Sequence, residues 1–316
     1  MARFSFESTS DDVGAAFTAE IQGKHVLVTG CSMGSLGFET ARACARYGAA
    51  LVVITGQNPE RLQLAHGSLQ KEGPDGNFRP LLLDLSSLAA VRAAAAEVLA
   101  YPEHIDILMN NAASNIRPTF TLTPDGFEHQ LATDHLGPFL FTALIFPKLL
   151  SSTSTHVRVL WTASGAHAWG PHSGIVLSEL ENAPADREEN MKVYDGMRAY
   201  SQAKAANIFT AREMARRLAE GTQEERRVKV FVLSPGAVNT NFVKSQTARS
   251  TLASSGIVSN DGVPDKLKLQ WKTIPQGAST LMVAAFDPNL NDESGGYLRD
   301  SALDNSGVAS NALDPA

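Results

Sequence analysis

The sequence predicts an α/β fold: a parallel sheet with helices packed on both of its faces. Three observations carry this. Short, continuous apolar runs recur along the chain, helical patterns separate them, and a glycine-rich turn joins the first run to the first helix. Strands buried on both faces read as unbroken apolar runs, whereas half-solvated strands alternate.

Taken in order, HVLVT (25–29) is the first strand and FETARACARYG (38–48) a helix that stops at a glycine. AALVVIT (49–55) is the second strand. NPERLQLAHGSLQKE opens with an asparagine cap and a first-turn proline. FRPLLLD (78–84) is a third strand before the helix SSLAAVRAAAAEVLA, and IDILMN (105–110) is a fourth. TPDGFEHQLATDHLGPFLFTALIFPKLL then reads as one long, mostly buried helix. HVRVLWTA (156–163) is the fifth strand, a helix carrying Tyr200 follows, and VKVFVLS (228–234) is the sixth. Two loop-rich regions, 168–198 and 239–272, interrupt the pattern and are where substrate contacts are expected.

Hydrophobic residues make up 43% of the 316, enough to build a core, and the net charge of −6 with no dominant basic patch argues against a nucleic-acid partner. The two cysteines, Cys31 and Cys44, do not form a disulfide framework, so a reducing, cytosolic setting is expected. The segment 1–23 reads as a mildly acidic N-terminal extension with no apolar run long enough for a signal peptide or a membrane span. His167 and His172 have no cysteine near them, so no metal is expected.

In the turn VTGCSMGSLGFET, glycines fall at Gly30, Gly34 and Gly37. Glycine lets the backbone turn sharply and approach a pyrophosphate, which the free N–H groups of the following helix can bind. The second strand ends in Thr55, Gly56, Gln57 and Asn58, with no acid to hold an adenosine ribose and repel a 2′-phosphate. Arg42 and Arg61 are candidates to pair with such a phosphate, so NADP is expected rather than NAD. In AYSQAKAAN (199–207), Tyr200 and Lys204 are one helical turn apart on one face. An ammonium beside a phenol favours phenolate and lowers a pKa that is otherwise about 10.

Further stretches fall in an ordered set: Asp84–Leu85, NNAA at Asn110–Ala113, TASGAH around Ser164, YSQAK, SPGAVNT at 234–240, and GGYLRD near the end. With TGCSMGSLG they resemble the short-chain dehydrogenases/reductases, in the retinol-dehydrogenase-like branch, over roughly residues 24–300. The resemblance implies one Rossmann-type, doubly wound domain (24–316) with seven parallel strands in the order 3-2-1-4-5-6-7, commonly a homodimer or homotetramer. It implies an NADP-dependent oxidoreductase acting on a carbonyl or alcohol, here taken to be lipophilic. Tyr200 is the implied acid/base, Lys204 tunes it and anchors the nicotinamide ribose, Ser164 polarises the substrate oxygen, and Asp134 supports the proton path. The implied cofactor contacts are Gly30, Ser32, Gly34, Ser35, Leu36, Gly37 and Gln57; Asp84 and Leu85 at adenine; Asn111, Ala112 and Ala113; Tyr200 and Lys204; and Pro235, Gly236, Val238 and Thr240 by the nicotinamide. His167 and His135 are expected to be structural, Trp161 core, and Trp169 a pocket wall.

Three residues depart from the family pattern. Ser35 and Leu36 separate Gly34 from Gly37 where the family has one residue; either the loop bulges or Ser35 takes the middle glycine's place. Asp134, in TDHLG, stands where the branch has asparagine. Gln57 stands where the branch often has arginine. These departures motivate two alternatives: a nucleotide-binding sensor or scaffold without turnover, and a non-redox enzyme on the same fold in natural-product assembly.

Overall fold

The computed structural model describes residues 3–73, 75–179 and 191–313; positions 180–190 of the expected substrate loop lie outside the described residues. Six strands form where the apolar runs predict them: β1 (His25–Val28), β2 (Leu51–Gly56), β3 (Phe78–Leu82), β4 (Ile107–Asn110), β5 (Val157–Thr162) and β6 (Val228–Ser234). A separate parallel pair joins β7 (Ala237–Val238) to β8 (Trp271–Lys272). The main sheet is completed by β9 (Tyr297–Arg299), parallel to β6, and β10 (Ala302–Leu303), antiparallel to β9. Its order is β3-β2-β1-β4-β5-β6-β9-β10. This is the expected 3-2-1-4-5-6-7 arrangement of a doubly wound Rossmann-type sheet with one strand more than expected. The extra strand exists because Asp300 and Ser301 both take positive φ, 52° and 63°, the backbone of a two-residue hairpin turn.

Both faces of the sheet are covered, which is why the strands are predominantly apolar. Val26, Val28, Val52 and Ile54 face a core shared with the helices Leu36–Arg46, Pro59–Glu72 and Ile274–Phe286. Leu27, Leu51 and Val53 face the opposite core, built with the helices Leu88–Ala100, Gly137–Leu150 and Gly196–Glu220.

The stretch expected as one helix over 123–150 is divided. Residues 123–127 close a turn in which the Thr123 N–H donates to the Phe127 carbonyl over 2.9 Å. Helix begins at His129, widens to a π-turn over Ala132–Leu136, and runs on as Gly137–Leu150. Loop 239–272 also carries structure: short helices at Asn241–Lys244 and Gln246–Ser254 precede β8. The N-terminal segment forms a helix, Ser10–Ala16, capped by a reciprocal Thr9–Asp12 pair. With Phe17 and Ile21 it packs into the core beside the Ile274–Phe286 helix.

Candidate active site

The C-terminal ends of β1, β2, β4, β5 and β6 open onto one cleft of about 1070 Å³, where ligands bind open α/β sheets. At its base, Gly30 takes φ +76° and lies so near Ala112 that a Cβ would sit 2.8 Å from its Cα. A Cβ on Gly37 would lie 2.6 Å from the Gly30 carbonyl oxygen; only glycine fits. Thr29 Oγ1 accepts from the Asn111 and Ala112 N–H groups, both at 3.0 Å, and the Asn111 amide donates to the Thr29 carbonyl at 2.8 Å. The turn after β1 and the stretch after β4 are thereby fixed to each other.

The extra residue in the glycine turn serves the helix. Gly34 turns with φ +71°, and Ser35 follows in extended conformation as the N-cap of Leu36–Arg46. Its hydroxyl accepts from the Phe38 N–H and donates to the Gly30 carbonyl, both at 3.1 Å.

Of the expected cofactor contacts, Gly30, Ser32, Ser35, Leu36, Gln57, Leu85, Asn111, Ala112, Ala113, Tyr200, Lys204, Pro235, Gly236, Val238 and Thr240 line the cleft. Gly34, Gly37 and Asp84 do not line it; Asp84 accepts from the Ser86 N–H and hydroxyl. Arg61 lies exposed in the cleft wall. Arg42 does not reach it: Glu39 and Asp11 hold its guanidinium at 2.7 and 3.1 Å. The expectation that Arg42 serves a phosphate is corrected, because Arg42 does not line the cleft and its Nε and one terminal nitrogen are held by these carboxylates.

Asp195 caps the Gly196–Glu220 helix by accepting from Met197 and Arg198 N–H groups, which sets the helix phase. Tyr200 and Lys204 then face the cleft, with the ammonium 5.3 Å from the centre of the phenol ring. Lys204 is buried between the Asp134 carboxylate at 3.1 Å and the Thr162 carbonyl at 3.4 Å. Asp134 lies just behind the lining, its other oxygen accepting from the Ser114 N–H at 2.7 Å. Ser164, two residues past the end of β5, lines the cleft with Tyr200, its hydroxyl accepting from the Ala166 N–H at 3.1 Å.

The electrostatics differ from the simple expectation for a phenol beside a cation. Burial pushes the Tyr200 phenol up; Lys204 pulls it down, Asp134 pushes it up again, and the Ser164 hydrogen bond lowers it, with a net rise. Burial, the largest single effect, would lower Lys204, but the Asp134 charge, the Tyr200 phenolate and the Asp134 hydrogen bond together hold the ammonium above its ordinary value.

His167 is structural. Its Nε2 accepts from the Ala309 N–H at 3.0 Å, so Nδ1 carries the proton and donates to the Ser164 carbonyl at 2.6 Å. Residues near the chain end therefore support the serine loop, a link no local pattern shows. His135 bonds Asn207, and the Asn207 amide donates to the carbonyls of Asp134 and Thr162. Asn207 lies in the same AYSQAKAAN stretch, one turn beyond Lys204, and that spacing was its available signal. Trp161 is buried in the core, while Trp169 is half exposed and lines the cleft.

The sheet order and the side chains gathered at its carboxyl edge define a Rossmann-type oxidoreductase. The sequence profile of the short chain dehydrogenase family matches residues 24–173. Retinol dehydrogenase 14 of Mus musculus is 34% identical over 311 residues, covering 94% of this chain and 84% of that protein. Short-chain dehydrogenase TIC 32 A, chloroplastic, of Brassica napus is 32% identical over 299 residues, covering 93% and 84%. This chain belongs to the short-chain dehydrogenase family, in its retinol-dehydrogenase-like branch. Among solved structures, L-sorbose reductase of Gluconobacter frateurii, complexed with NADPH and L-sorbose, shares the fold at a TM-score of 0.63 and 16% identity, covering 88% of this chain and 96% of that one.

Proposed function

We propose that this chain is an NADP(H)-dependent oxidoreductase that interconverts a carbonyl and an alcohol on a lipophilic small molecule. The carrying observation is the convergence of Tyr200, Lys204 and Ser164 on the cleft that the glycine turn floors. The cleft suits a dinucleotide: the turn beneath it packs so closely that a Cβ at Gly37 would meet the Gly30 carbonyl, and the second strand ends without an acid. Exposed Arg61 and Gln57 are the residues to meet a 2′-phosphate, and solved structures of the same fold in complex with NADP or NADPH support that preference.

Bound nicotinamide supplies or takes the hydride. Tyr200 holds the proton that the substrate oxygen gains on reduction and receives it back on oxidation. The Ser164 hydroxyl donates to that oxygen as negative charge grows on it. Lys204 favours the phenolate and holds the nicotinamide ribose, while Asp134 fixes the ammonium and carries its countercharge.

Support for a lipophilic substrate comes from the wall beyond Tyr200. Ile116, Met197, Leu252, Ile257 and Trp271 line it, and the Phe242 ring lies 5.5 Å from the Tyr200 ring. Both cysteines are buried free thiols, in keeping with a reducing compartment. No described helix is long and apolar enough to cross a membrane.

The test is NADPH oxidation across aldehydes and ketones of increasing apolar size, with NADPH binding measured in parallel. Turnover that grows with apolar size is expected. Tight NADPH binding without turnover of any carbonyl or alcohol would overturn the redox reading.

A further inference from the structure

The opposite end of the sheet holds a second cluster of chemistry-bearing side chains. Among the described residues, His25, His104 and Asp106 form the one grouping in which three His, Cys, Asp or Glu side chains offer ligand atoms all within 4.8 Å of one another. They come from two places in the sequence, the first residue of β1 and the approach to β4, so no local spacing announces them. The parallel pairing of β1 with β4 brings them together.

We propose that His25, His104 and Asp106 bind a late first-row divalent cation of the Zn²⁺ class at the N-terminal ends of β1 and β4. Two imidazoles and one carboxylate are a donor set that suits such ions. His104 Nε2 already lies 3.2 Å from Asp106 Oδ1. Two ligands at about 2.0–2.1 Å from a tetrahedral zinc are separated by roughly that distance. The two imidazole rings lie with centroids 4.7 Å apart.

The second observation is the support around these ligands. His25 Nδ1 lies 3.1 Å from the His104 carbonyl oxygen. A carbonyl only accepts, so Nδ1 carries the proton and Nε2 presents its lone pair. Histidine ligands to metals are usually fixed in this way. Asp106 is buried, and its oxygens accept from the Ser152 hydroxyl at 2.5 Å and the His25 backbone N–H at 2.8 Å. His104 is partly exposed, giving an entry path and a coordination position for water. A bound ion ties the start of β1 to the entry of β4, remote from the cleft, and stabilises the folded chain by mass action.

The experiment titrates the metal-free full-length chain with Zn²⁺ against a chromophoric chelator, and with Co²⁺ by visible absorption. One Zn²⁺ per chain and the intense bands of tetrahedral Co²⁺ are expected. His104→Ala and His25→Gln should each weaken binding at least about tenfold, and Zn²⁺ should raise the melting temperature of the wild type but not of His104→Ala. Equal affinity in the wild type and both variants, or a wild-type Co²⁺ spectrum of the pale octahedral kind, would overturn the proposal. The Co²⁺ spectrum of the wild type decides even where a variant fails to fold, and neither readout depends on enzymatic activity.

Discussion

The Lys204 ammonium stands 3.1 Å from the Asp134 carboxylate, both side chains sealed from solvent. The carboxylate raises the proton affinity of Lys204 and of the Tyr200 phenol beside it. In Asp134→Asn the negative charge is gone, so protons leave the coupled Tyr200–Lys204 pair at lower pH. The pH profile of kcat/KM for alcohol oxidation, which needs the phenolate, should move towards acid. A profile that stays put or moves alkaline contradicts the role given to Asp134.

The same pair governs stability. Removing one partner leaves a buried charge uncompensated, at a cost of about 3–5 kcal/mol. Lys204→Met and Asp134→Leu should each show that loss in urea unfolding, while the double variant loses less than their sum. Additive losses would mean the two charges do not act as a unit.

Coenzyme choice separates two arginines. Arg61 lines the cleft, whereas Glu39 and Asp11 hold Arg42. A charged hydrogen bond contributes about 1.5–3 kcal/mol, so Arg61→Ala should raise the NADPH Kd roughly tenfold or more and leave NADH nearly unchanged. Arg42→Ala should leave the preference intact. Fluorescence titration with both coenzymes checks this.

Arg158 is buried in the sheet and donates to the carbonyls of Ala284 and Asp287 and to the Asn291 side chain. It thereby satisfies the C-terminal end of the Ile274–Phe286 helix. Arg158→Met keeps the stem but strands three acceptors at about 1–3 kcal/mol each. A loss of at least about 3 kcal/mol in urea unfolding is expected, with activity per folded molecule unchanged.

Much of this architecture is written in local pattern. The six apolar runs place β1–β6 because strands covered on both faces are predominantly apolar. The Tyr200–Lys204 spacing finds the helix face that meets the cleft. What escapes local reading depends on distant partners. Strand β10 hangs on a turn in which Asp300 and Ser301 take positive φ without a glycine to announce it. The N-terminal helix left a faint trace, since Val13, Phe17 and Ile21 recur every fourth residue, but its polar composition hid it. The Asp134–Lys204 ion pair and the support of Ser164 by His167 and Ala309 join residues far apart in sequence. The Glu39 and Asp11 contacts that withdraw Arg42 from the cleft follow from the fold of the first 46 residues.

The most direct test of the whole account is Tyr200→Phe, assayed for NADPH-dependent reduction of an apolar ketone with the NADPH Kd measured on the same preparation. General acid–base catalysis contributes about 10²–10⁴-fold, so kcat/KM should fall by at least about 10² with NADPH binding unchanged. A variant that reduces the ketone as fast as the wild type would contradict the account, because the phenol would then not be the group that delivers the proton.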